Sequence, residues 1–162
     1  MFVRGLRTLL LSVSGLLVAL PASAQATLGV RGGVAADPKQ GLLGFHVEEA
    51  ALSPHDDLTF RPGVEVGFGS GETIVSGSLE VAYWVTLSNK WRTYLGAGPA
   101  AVFVHTSGAC TGCAGGGNAV HGVFNGFVGF QNDAGVFIEV KGSGGTNASL
   151  HLTAGFLIKR KK

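Results

Sequence analysis

The chain has 162 residues, 27 of them glycine, with 46% apolar side chains and twelve Lys plus Arg against ten Asp plus Glu. The small positive balance resides in Arg4, Arg7 and the closing IKRKK, so the charge pattern gives no support to a nucleic-acid partner. No apolar run after Leu20 approaches the roughly 20 residues of a membrane-spanning helix, which leaves strands as the elements that could cross a bilayer.

The first element is an address. Arg4 and Arg7 form a basic start, LLLSVSGLLVAL (9–20) is an apolar core too short to span a bilayer, and PASAQA supplies small residues for cleavage after Ala24. This predicts a cleaved signal peptide over 1–24 and one domain over 25–162. Without the signal segment, ten cations face ten carboxylates and 25 glycines remain. Eight alternating segments follow: TLGVRGGVA (27–35), GLLGFHVEE (41–49), LTFRPGVEVGF (58–68), TIVSGSLEVAYWVTL (73–87), TYLGAGPAAVFVH (93–105), AVHGVFNGFVGF (119–130), AGVFIEVKGS (134–143) and SLHLTAGFLI (149–158). Turn-forming residues separate them, among them ADPKQ, GSGE, SNKW, QND and GGTNA. Most segments run nine to thirteen residues, close to the ~9–11 of a tilted membrane strand and longer than the ~5–6 usual in globular proteins. An even count permits closure, so the predicted fold is all-β: an eight-stranded antiparallel up-and-down transmembrane β-barrel.

Alternation divides each segment into two faces. One face is apolar and free of charge, with Leu43 and Phe45, Phe60 and Val64, Phe124 and Val128, and Leu152 and Phe156 among its members. The other holds Arg31, His46, Glu48, Arg61, Glu65, Glu80, His121, Asn125, Glu139, Lys141 and His151, interspersed with glycines such as Gly29, Gly33, Gly96 and Gly129. A soluble barrel binding an apolar ligand would turn the apolar face inward and leave the glycines on a solvated exterior, where they weaken strands. A membrane barrel reverses the faces: lipid meets the apolar side, and a narrow lumen is filled by long polar side chains with glycines making room. Three lumen cations against four carboxylates come near the balance a closed interior needs, since an unpaired buried charge costs several kcal/mol. Pro62 and Pro99 fall inside strands and predict a bulge or a water where the ladder lacks an N–H.

The phrases GVRGGV, FRPGVEVGFG, YLGAGPA, GVFIEVKG and the closing LHLTAGF, together with the signal segment, resemble the small outer-membrane β-barrels of Gram-negative bacteria across residues 25–162. The resemblance implies insertion into the outer membrane, contact with its lipid, short periplasmic turns and longer outer loops. Residues 106–118 would form the longest outer loop and the candidate contact for a surface partner, on a monomeric barrel. Some members of this group modify lipid A. Here His151 with Thr153, or Ser76 and Ser78 beside Glu80, come nearest to a nucleophile-and-base arrangement, and all fall on the lumen side.

The loop's Cys110 and Cys113 form a C-x-x-C. A local disulfide in an oxidising compartment is favoured over a redox pair, because no helix N-terminus is at hand to stabilise a thiolate. It is also favoured over a metal site completed by His105 and His121. The glycine phrases lack the strand-to-helix context and the lysine of phosphate loops. No catalytic residue, metal or cofactor is assigned; the expected function is non-enzymatic.

Overall fold

The computed structural model describes residues 26–50, 57–69, 71–88, 90–106, 117–145 and 148–158. The predicted signal segment, Cys110 and Cys113, and the basic tail lie outside these residues. Eight strands follow in chain order: β1 (Thr27–Ala35), β2 (Gln40–Ala50), β3 (Leu58–Gly69), β4 (Glu72–Thr86), β5 (Trp91–Thr106), β6 (Asn118–Asn132), β7 (Val136–Gly144) and β8 (Ser149–Ile158). Each pairs antiparallel with its sequence neighbour, and β1 pairs with β8, so the sheet closes into a barrel without an edge. Both ends of the described chain emerge at one rim, here the terminal end, with the turns at 87–90 and 133–135. The ends at which β1 passes to β2, β3 to β4, β5 to β6 and β7 to β8 face the opposite rim, the loop end. Gly71 and Gly135 hold φ of +74° and +88° in tight turns, a region that suits glycine.

The apolar face of every strand points outward. Leu43, Val120 and Phe124 are each 60% or more exposed, whereas Arg61 and Glu139 are wholly buried. This arrangement rules against the soluble reading, in which Phe60 and Val64 would be sealed inside. Lumen glycines stand where rings pass close by: a Cβ at Gly29 would run into the His46 ring, and one at Gly129 into the Tyr94 ring.

Neither proline introduces a bulge. Pairing skips the two positions at Pro62 on the β2 side, yet His46↔Gly63 and Glu49↔Phe60 keep one register across the gap. At Pro99 the same holds on the β4 side between Ser78↔Ala100 and Val81↔Ala97. Each proline remains aligned with its other neighbour, Pro62↔Leu79 and Pro99↔Phe124. The missing N–H therefore interrupts one ladder locally, and the closed cylinder holds the register that a bulge would have shifted.

Candidate functional site

The lumen is built in layers, each supplied by inward positions of several strands. Nearest the terminal end is an aromatic plug. Trp84 stacks at 4.6 Å on Tyr94, which meets Phe127 edge-on at 6.1 Å. Trp84 Nε1 donates to Thr59 Oγ1 at 2.9 Å, and the Arg92 guanidinium covers the indole at 4.6 Å. Phe137 and Leu157 are buried at this end as well.

An ionic layer follows. Glu139 accepts from Arg31 Nη1 at 3.0 Å, from Arg61 Nη1 at 2.9 Å and from the Tyr94 hydroxyl at 3.1 Å. Arg61 also approaches Glu48 at 3.4 Å, donates to His46 Nε2 at 3.2 Å, and lies 4.9 Å above both the Tyr94 and the Phe127 rings. Arg31 Nε reaches Glu65 at 3.0 Å. Above this, Lys141 pairs with Glu80 at 2.9 Å, and Asn125 donates to the same carboxylate while accepting from Ser143. His151 Nδ1 lies 2.9 Å from Glu65 Oε1. Such a network is tolerated in a water-poor interior because each charge meets an opposite one and most polar atoms meet partners.

The structure brings ten of the eleven polar residues predicted for this face into the network: Arg31, His46, Glu48, Arg61, Glu65, Glu80, Asn125, Glu139, Lys141 and His151. His121 stands apart, half-buried at the loop-end mouth beside Asp37, Pro38, Glu72 and Val104. His105, weighed as a metal ligand, contacts Asn118 Oδ1 through Nδ1 at 2.7 Å. Sequence reasoning missed the apolar lumen members Phe127, Phe137 and Leu157, although they share the parity of Asn125, Glu139 and Thr153. It missed Gln40 and Gln131 too, both buried.

Toward the loop end the lumen widens into a cavity of about 50 Å³, walled by Gln40, Ser76, Ser149 and Ala100 and floored by Glu65, Asn125, Lys141 and His151. That volume admits a few waters and no acyl chain. Gln40 Nε2 and Ser149 Oγ line it without protein partners among the described residues, as expected of groups hydrated from the mouth. Among the described residues, aromatic rings thus fill the lumen toward one end and a polar-floored cavity lies toward the other.

A closed eight-stranded antiparallel cylinder with charges inside and apolar side chains outside has the architecture of the small bacterial outer-membrane barrels, and the chain has that fold. Solved structures of that kind match it over nearly their whole length. The N-terminal β-barrel domain of Pseudomonas aeruginosa OprF superposes with a TM-score of 0.63 at 16% identity, covering 82% of this chain and 96% of that one. Neisserial surface protein A superposes with 0.61 at 13%, covering 83% and 96%. The outer membrane enzyme PagL superposes with 0.52 at 12%, covering 84% and 100%. At these identities the likeness is one of fold. No protein-family model matches the sequence, and no curated protein is significantly similar to it.

Proposed function

We propose that this is a non-enzymatic outer-membrane barrel, exported by the signal segment 1–24, whose filled lumen makes it a rigid pedestal for the loops at its loop end. The observation that carries the reading is the sorting of side chains by face: apolar residues clothe the exterior while Arg61, Glu80, Glu139 and Lys141 are at most 2% exposed inside. A contiguous apolar belt of this extent requires a nonpolar surrounding. Tyr83, Trp91, Phe130 and Phe156 stand exposed toward the terminal end, and Phe68 and Phe103 toward the loop end, where aromatic side chains suit the bilayer interfaces. With the terminal end periplasmic, 107–117 is the longest outer connection and the segment best placed to meet a surface partner.

A lipid-modifying activity has less support. Thr153 is buried and His151 turns inward to Glu65, away from any lipid on the outer wall. A solute channel has as little support, because among the described residues the aromatic rings of Trp84, Tyr94 and Phe127 pack together in the lumen toward its terminal end.

Fractionation of a Gram-negative host expressing the chain tests this reading, combined with electrophoresis of heated and unheated samples and protease treatment of intact cells. The expected result is an outer-membrane, heat-modifiable species cut from outside within 107–117. A buffer-soluble species, or cleavage only after the outer membrane is opened, overturns it.

A further inference from the structure

Two arginines in the lumen serve three carboxylates. Joined by contact, the charges run Glu48, Arg61, Glu139, Arg31, Glu65, at 3.4, 2.9, 3.0 and 3.0 Å, so the series ends on a carboxylate at both sides. Lys141 does not make up the difference, because Glu80 engages it at 2.9 Å. With histidine counted as neutral, the described lumen therefore carries one negative charge in excess. The two ends of the series differ in their surroundings. Glu48 keeps 11% of its side chain exposed, where solvent screens it, whereas Glu65 keeps 5% and forms part of the floor of the loop-end cavity.

The lining of that cavity suits a small cation. Ser76 and Ser149 bring hydroxyls to it, Asn125 an amide and Glu65 its carboxylate. Gln40 is 6% exposed, and its Nε2 meets no acceptor among the described residues, so a water in the cavity must serve it. Ser149 Oγ is likewise without a protein partner there. Lys141 borders the cavity too, but its ammonium is drawn to Glu80. Glu65 meets Arg31, shared with Glu139, on one oxygen and lies 2.9 Å from His151 Nδ1 on the other. No three His, Cys, Asp or Glu side chains converge among the described residues, as a transition-metal centre requires. One carboxylate among neutral oxygens is the setting of a weakly held hard cation. The cavity's volume of about 50 Å³ takes one such ion with a few waters.

We propose that the loop-end cavity binds one partly hydrated monovalent inorganic cation, sodium or potassium. Glu65 supplies the charge, Ser76 and Ser149 supply neutral oxygens, and a water of the ion's shell accepts from Gln40. Entry is from the loop end. The vestibule there adjoins the cavity, sharing Pro38 and Ile74 with it, and the titratable side chains lining it are Asp37, Glu72 and His121. Two acids with no Lys or Arg in the lining draw cations inward and repel anions.

Urea unfolding of the purified chain in zwitterionic micelles tests the site, with sodium, potassium and N-methylglucamine chlorides compared at equal ionic strength. The last cation is too large for the cavity. The expected midpoint is higher in sodium or potassium than in N-methylglucamine, and the difference saturates with concentration as binding at one site does. Glu65→Gln should abolish it. Ser149→Ala, which removes an oxygen and no charge, should weaken the apparent affinity about threefold or more. A reading that needs no variant is the sodium-23 line, which the folded chain should broaden and potassium should sharpen again. Equal midpoints in the three salts, the sign of hydration water only, overturn the proposal. So does a sodium effect that survives both substitutions, or a sodium line the chain leaves unchanged.

Discussion

Replacing Arg61 with methionine removes the most heavily engaged charge in the barrel while preserving much of its apolar stem. Arg61 is fully buried, donates to Glu139 at 2.9 Å, approaches Glu48 at 3.4 Å, and stacks at 4.9 Å on two aromatic rings. Loss of one partner from a buried ion pair costs about 3–5 kcal/mol, because the abandoned carboxylate stays in a poorly solvating interior. The two ring contacts add roughly 0.5–2 kcal/mol. We therefore expect the variant to lose about 4–6 kcal/mol in urea unfolding from micelles, followed by the fluorescence of Trp84 and Trp91. Combining Arg61→Met with Glu139→Gln removes the stranded charge, and the pair should show a coupling of roughly 1–3 kcal/mol relative to the sum of the single changes. A loss below about 1 kcal/mol for Arg61→Met would refute the reasoning, since it would mean that water already solvates this layer.

Leu79, the middle residue of β4, is 52% exposed on the outer wall, and Leu79→Arg should cost about 2–4 kcal/mol when folding into lipid vesicles is measured by gel mobility. Gly129→Ala forces a methyl into the Tyr94 ring and should cost about 1–3 kcal/mol, whereas Gly126→Ala, with open space around it, should stay within about 0.5 kcal/mol in the same urea assay. Thr59→Val strips the Trp84 indole of its acceptor and should cost about 1 kcal/mol, again by urea unfolding.

The strands were legible because period-two alternation survives along their whole length, and all eight predicted ranges fall within two residues of those observed. Side-chain parity also placed Arg61 and Glu65 together, opposite Phe60 and Val64. It could not say that Arg61 bonds Glu139, 78 residues away, because partners across a lumen depend on how far each strand is staggered around the cylinder. Trp84 and Tyr94 of the aromatic plug were legible on the charged face, but Phe127 was hidden for another reason. In GVFNGFVGF both faces of β6 carry large apolar groups, so Phe127 is indistinguishable by character from Phe124 and only counting from Asn125 assigns it inward. Of the bulge or water expected at the prolines, the bulge is absent because ring closure fixes the alignment of each strand from both sides.

Arg31 of β1 bonds Glu139 across 108 residues and Glu65 of β3 besides, so the chain's first strand supplies a charge that its seventh requires. No half-built curved sheet can satisfy that demand: until β1 meets β8, Glu139 has lost one of its two arginines and Arg31 has no enclosed place to go. The final zipping step is therefore rewarded electrostatically and not merely by the eight backbone pairs of the seam. Such a latch makes partly inserted forms costly and favours assembly as an all-or-none event.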